Sequence, residues 1–262
     1  MQIITVLNQK GGVGKTTTAA ALISGLTSKG FKTVGVDLDS QRNLSMTMQA
    51  DTKHKTVLGV LTNQCTAEEA IQHTEQGDII AAGKELAAID SILTGRGREQ
   101  RLKEALQPLG KKYKYIVIDT PPNIGTLVLS ALIASNSVLI TAEADIYSRT
   151  ALEDLIDNIQ TVKESINPNL KVEGILLTRY NGRANLTKIL REEFIEPAAE
   201  LDAKVFDTVI REGVAIKEAH LMRKSIFDYD SKSNVAVDYT AFIEELLQEK
   251  KTTKTARKGK RG

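Results

Sequence analysis

The stretch VLNQKGGVGKTTT, Val6 to Thr18, decides how the rest of the chain is read. A short β-branched run, Ile3 to Leu7, feeds straight into Gly11, Gly12 and Gly14, and a helical pattern follows from Thr17 to Lys29. Strand, glycine turn and helix start in that order make a phosphate-binding loop. The glycines let successive backbone N–H groups converge on an anion with no Cβ in the way, and the helix N-terminus adds partial positive charge. Lys15 is placed to reach the β- and γ-phosphates and Thr16 to set a hydroxyl on Mg²⁺. Gly11, Gly12, Val13, Gly14, Lys15, Thr16 and Thr17 are therefore the candidate nucleotide contacts. The ordinary pattern needs a glycine five residues before the Gly-Lys pair, where this chain has Gln9. A second lysine, Lys10, opens the loop instead.

Outward from the loop, β-branched runs alternate with helical periodicity, the pattern of an α/β, doubly wound, mostly parallel sheet with helices on both faces. Strands are expected at Ile3 to Leu7, Thr33 to Val36, Asp78 to Ala81, Tyr115 to Ile118, Val138 to Thr141, Val172 to Leu177 and Val205 to Ile210. Several are continuously apolar, as strands covered on both faces must be. Helices are expected at Gly97 to Leu109, Thr126 to Ala134, Thr150 to Ser165, Leu186 to Leu201 and Val235 to Lys250, with short helices and loops over Thr47 to Gly77. No Pro/Gly/Ser linker divides residues 1–249, which read as one P-loop ATPase domain followed by a disordered basic tail, 250–262.

Two carboxylate segments end apolar strands where ligands bind in open α/β sheets. VGVDLDSQRNLS carries Asp37 and Asp39, and YKYIVIDTPP carries Asp119, the Walker B position that would hold Mg²⁺. One such aspartate alone is as well explained by a turn or a helix cap; three beside a phosphate loop point to a metal and nucleotide site.

These motifs resemble the ParA/MinD superfamily of deviant Walker A ATPases, and most closely the ParA/Soj family of DNA-partitioning ATPases. KGGVGKTT is the superfamily signature, and Asp37, Asp39, Gln41 and Asn43 match the DxDxQxN segment. The resemblance implies that Lys10 crosses a nucleotide-sandwich dimer to act in trans, that Asp39 orients the attacking water, and that Asp37, Thr16 and Asp119 form the metal site. In GILLTRYNGRANL it assigns Asn181 to adenine and Arg183 to non-specific DNA. The chain departs from the pattern at Ser40 and Arg42, where relatives usually carry proline and glycine, and at VIREGVAIKEAH, where they show VIPRNVRLSEAP. The second DNA-contacting arginine of the family thus falls on Ala215; Lys217, Arg223, Lys224 and Lys232 are the basic residues that could compensate, or are charges of a solvated helix face. The implied cycle is ATP-driven dimerisation, coating of non-specific DNA, and release when a ParB-like partner stimulates a slow hydrolysis. A chain starting at its first strand is expected to lack operator recognition and to bind DNA through phosphates.

Composition narrows the branches. The one cysteine, Cys65, excludes cluster-dependent electron-transfer relatives. No stretch approaches 18 apolar residues, so a cytoplasmic protein with no transmembrane span is expected, and the resemblance implies one that is nucleoid-associated with no membrane partner. The formal charge of +2 conceals seven basic and no acidic residues from Lys250 onward. Such a tail can contact phosphate backbones or simply be a solvated terminus. The alternatives to partition are a MinD-like membrane-cycling positioner and an ATP-gated regulator of another protein. Against the first, VDYTAFIEELLQEK is acidic on its polar face, which anionic lipid repels.

Overall fold

A computed structural model describes residues 1–143, 148–181, 189 and 191–259, with the side chains of 148–151 and 249–259 outside that description. Seven strands form one sheet in the order β3-β4-β2-β5-β1-β6-β7: β1 Gln2–Leu7, β2 Thr33–Asp37, β3 Ile71–Thr74, β4 Gly77–Ile80, β5 Tyr115–Asp119, β6 Ser137–Glu143 and β7 Lys171–Thr178. All pairings are parallel except the β3–β4 hairpin. This is the mostly parallel, doubly wound P-loop fold that the alternating pattern predicts.

Alternation along the central strands divides the core between two layers. Tyr115 and Val117 of β5 join Ile4 and Val6 of β1 beneath helix α1, Lys15–Ser28, and the C-terminal helix, Asn234–Gly259. Ile116 and Ile118 point the other way with Ile3, against Leu102, Leu106 and Ala131 on the opposite layer. Helix α1 lies close to the sheet because Gly35 of β2 has no side chain: a Cβ there would sit 2.5 Å from Ile23 Cδ1. On its other side α1 packs under the C-terminal helix, where Thr18 and Tyr239 share a buried hydrogen bond of 3.0 Å between their hydroxyls.

The structure corrects three expectations. Val205 to Ile210 is not a strand; only single bridges, Ile175 with Val205 and Tyr180 with Arg211, reach β7's side of the sheet. Between them the N–H groups of Asp207 and Thr208 donate to Glu245 on the C-terminal helix, at 3.1 and 3.0 Å, so they are lost to a strand ladder. The loops expected before Gly77 contain strand β3, whose IQHT lacks β-branched alternation and pairs only because a tight turn folds it onto β4. The helix expected over Gly97 to Leu109 is α-helical only at Arg101–Leu106 and continues as a tighter 3₁₀ turn, Gln107–Lys111. Pro108 has no N–H for the α ladder.

The other helices match closely: Thr126–Ala134, Ser148–Ser165 and the start of the C-terminal helix at Asn234. Of the helix expected over Leu186 to Leu201, the described residues 189 and 191–192 are helical, a turn at Glu193 and Phe194 interrupts it, and the helix Ile195–Glu200 follows. The closing helix runs to Gly259, past the division expected at residue 249.

Candidate nucleotide-binding site

The phosphate loop is held from below by residues that the sequence reading passed over. The Asn8 amide donates to the Thr141 carbonyl at 2.5 Å, and its oxygen accepts the N–H of Lys10 at 2.8 Å. At the loop's far end the Thr178 hydroxyl donates to the Val13 carbonyl at 3.0 Å, so β6 and β7 both brace it. Gly12 and Gly14 take left-handed backbone angles, φ 80° and 79°, which a side chain would strain. Gly14 is the residue on which α1 starts.

Lys15 is 7% exposed and its ammonium donates to the Lys10 carbonyl at 3.0 Å, bent back along the loop. Burial lowers its pKa, opposed by the charges of Asp119 and Asp39. Above the loop opens a cleft of about 670 Å³. Gly11, Gly12, Gly14, Lys15, Thr16 and Thr17 form its floor. Asp39, Gln41, Asn43, Met46 and Thr47, which follow β2, line the cleft together with Pro122, His220, Leu221 and Arg223. A larger cleft of about 860 Å³ lies beside Cys65 and Gln72. It has no glycine loop, so chemistry rather than size identifies the nucleotide site.

The three aspartates have different environments. Asp37 is fully buried and accepts the Asp39 N–H at 3.0 Å, the Ser45 N–H at 2.9 Å and the Ser45 hydroxyl at 2.7 Å. Three of a carboxylate's roughly four acceptor sites are thus engaged. These bonds tie Asp37 to helix α2, Asn43–Thr47. Asp119 is equally buried, yet neither carboxylate oxygen has a hydrogen-bond partner of good geometry among the described residues. Burial, then the Asp37 charge, raise its pKa, with the nearby Thr16 hydroxyl and Lys15 ammonium opposing the rise. An orphaned, buried carboxylate beside a threonine hydroxyl suits a hard divalent cation that takes oxygen ligands. Asp39 lines the cleft and accepts the Gln41 N–H at 2.9 Å.

The sequence-predicted residues divide accordingly. Gly11, Gly12, Gly14, Lys15, Thr16, Thr17 and Asp39 meet at the cleft, with Asp37 and Asp119 at the strand ends. Val13 is buried and serves through its carbonyl. Lys10 is half-buried and does not line the cleft. Asn181 is exposed just beyond β7, and Arg183 lies outside the described residues. Lys217 is 73% exposed and 3.9 Å from Glu212, while Arg223 and Lys224 are exposed at a turn on the cleft's rim. Arg211, at the proline position of the resembled segment, is committed to the fold: it makes a two-point ion pair with Asp238, at 2.9 and 2.6 Å.

Arg42 shows what the departure from glycine entails. It sits in the left-handed region, φ 60°, at the start of α2, and its Nε is buried without a partner among the described residues.

Comparison with known proteins matches residues 1–172 to a family model described as an AAA domain. The chain is 37% identical over 252 residues to the chromosome partitioning protein ParA of Myxococcus xanthus, covering 94% of this chain and 88% of that protein. It is 35% identical to the sporulation initiation inhibitor protein Soj of Bacillus subtilis, covering 94% of this chain and 98% of that one. Among solved structures it is similar to cobyrinic acid a,c-diamide synthase from Mycobacterium smegmatis with bound ADP and magnesium, with a TM-score of 0.84 and 28% identity over 97% and 96% of the two chains. With this near end-to-end similarity and a KGGVGKT loop built over an orphaned Asp119, the chain belongs to the ParA/Soj family of P-loop ATPases.

Proposed function

We propose that this chain is a DNA-partition ATPase that binds Mg·ATP, dimerises on it, coats non-specific DNA, and is released when a ParB-like partner stimulates its slow hydrolysis. The observation that carries the nucleotide half is the buried Asp119, whose oxygens have no hydrogen-bond partner of good geometry among the described residues, close to Thr16 and Lys15 of a glycine-rich cleft. Thr16 and Asp119, with the remaining acceptor site of Asp37, are the residues to hold Mg²⁺. Bound there, the metal supplies positive charge to the β- and γ-phosphate oxygens. Lys15 exchanges the Lys10 carbonyl for phosphate oxygens, and Asp39 holds the attacking water. Lys10 arrives from a second copy in the manner of an arginine finger, which couples assembly to hydrolysis. Asn181 contacts adenine.

The DNA half rests on the named relatives and on the cations around the cleft. Arg183, Lys217, Arg223 and Lys224 supply the folded surface, and the basic residues from Lys250 add affinity. The protein works in the cytoplasm on the nucleoid. Among the described residues no helix is long and apolar enough to cross a membrane.

The test is binding to two unrelated duplexes across a salt series with ATP and with ADP. Binding should require ATP, ignore sequence and weaken steeply with salt, since counterion release supplies most of its free energy. Lys15→Ala and Arg183→Ala should each abolish the ATP-dependent part. Truncation after Glu249 should lower the salt slope and keep the ATP dependence. Wild type that ignores duplex DNA but pellets with anionic liposomes in ATP would replace this reading with the MinD-like one.

A further inference from the structure

Gln76, at the turn between β3 and β4, is 6% exposed, and its amide nitrogen donates to two carbonyls from distant segments. One is Thr47, at 2.7 Å, the last residue of α2; the other is Arg223, at 3.0 Å. The amide of Gln49 donates to the same Arg223 carbonyl, at 3.0 Å. Two acceptors on one nitrogen determine the amide's orientation, because the flipped group would set its oxygen against both carbonyls. The Gln76 oxygen is buried with no partner among the described residues. An apolar side chain of equal length would avoid that penalty, so this glutamine is placed for what it ties together rather than for burial.

What it ties are two segments, distant in sequence, that both line the nucleotide cleft. Helix α2 follows Asp39 and is bonded to Asp37 through Ser45, so it stands one step from the phosphates. Arg223 closes the turn after the helix Val214–Leu221, in a left-handed conformation of φ 52°, and lines the same cleft. Lys224 follows it, its N–H held by the Ala219 carbonyl at 2.9 Å. The position of both cations therefore depends on where the Arg223 carbonyl is held.

We propose that Gln76, assisted by Gln49, is a positioning residue that carries the state of the nucleotide site from α2 to the Arg223–Lys224 turn. Movement of α2 on nucleotide exchange displaces the Thr47 carbonyl, and the shared amide moves the turn with it. The coupling is reciprocal, so a polyanion held by Arg223 and Lys224 shifts nucleotide preference in turn. The functional meaning rests on the reading of that turn as part of the DNA surface; the mechanical link does not.

The experiment is hydrogen exchange over residues 220–225 of the full chain, with a non-hydrolysable ATP analogue and with ADP, alongside nucleotide titration and duplex binding. In wild type the two nucleotides should give exchange rates in this segment differing by about fivefold or more, the low end of ordinary coupling. Gln76→Met should remove the difference while nucleotide affinity holds. Gln49→Ala, on the surface and unable to collapse the core, should reduce it, and decides the matter alone if Gln76→Met fails to fold. A wild type with no difference, or a difference that persists in both variants, overturns the proposal. A difference that the variants remove, in a protein whose duplex binding is the same with either nucleotide, upholds the clasp and sinks the DNA reading instead.

Discussion

Asp37 and Asp119 are register partners on the adjacent parallel strands β2 and β5, and both side chains are fully buried. Two carboxylates so placed repel each other; Asp37 accepts three hydrogen bonds, from Ser45 and the Asp39 N–H, whereas Asp119 has the nearby Thr16 hydroxyl and Lys15 ammonium. Asp119→Asn should therefore melt no lower than wild type in EDTA, because it removes the repulsion between two buried carboxyls. It should also lose the added stability that Mg²⁺ gives over ATP analogue alone. Scanning calorimetry of both proteins with analogue, with and without Mg²⁺, reads both effects. An undiminished Mg²⁺ increment in the variant would take Asp119 out of the metal site.

Among the described residues the Asp39 side chain accepts one hydrogen bond, from the Gln41 N–H, and none from the phosphate loop, so its removal should leave nucleotide binding intact. In Asp39→Ala turnover should fall by about 10²–10⁴-fold, the usual worth of a positioned acid or base. Light scattering with ATP should show a persistent dimer, whereas Lys10→Ala should stay monomeric or hydrolyse poorly. Wild-type turnover in Asp39→Ala would mean that another group holds the water.

Arg42→Gly should be stabilising. A side chain in the left-handed region costs about 1–2 kcal/mol, partly offset by the flexibility that glycine adds to the unfolded chain. The expected net gain of up to about 1 kcal/mol is a rise of about 2–4 °C in Tm for a chain of this size. A fall in Tm would show that the Arg42 side chain holds the loop after Asp39 by contacts that outweigh the strain.

His220, on the cleft wall, has its pKa lowered by burial. For a base depressed in the folded state, the unfolded chain binds more protons between the two pKa values. The stability this group contributes is therefore complete above its unfolded pKa of about 6.5 and is lost as pH falls towards the lower folded value. Denaturant unfolding from pH 7.5 down to 5 should show a steeper loss in wild type than in His220→Gln. Parallel curves would assign the acid sensitivity elsewhere.

The phosphate loop was legible because its chemistry is local: glycines at left-handed angles between an apolar strand and a helix start declare themselves within 13 residues. The central strands were legible for a related reason, since burial on both faces demands continuous apolar runs. Val205 to Ile210 has the same look, but Glu245, 38 residues beyond Asp207, takes the N–H groups of Asp207 and Thr208 while Phe206 and Ile210 donate to β7, so the ladder is interrupted. Strand β3 has the opposite history, a weakly patterned segment made a strand by the turn beside it.

Nothing in VLNQKGG announces that Asn8 is anchored to Thr141, 133 residues away, or that Thr178 supports Val13 across 165. By itself the sequence determined the nucleotide loop, the aspartates at the strand ends and the wound order of strand and helix, because each is written in neighbouring residues. Only the tertiary structure decided which of those aspartates is left unpaired, and which amide joins α2 to a turn 147 residues from Gln76. Hydrogen bonds between distant segments depend on how the layers pack, and packing sums over the whole chain.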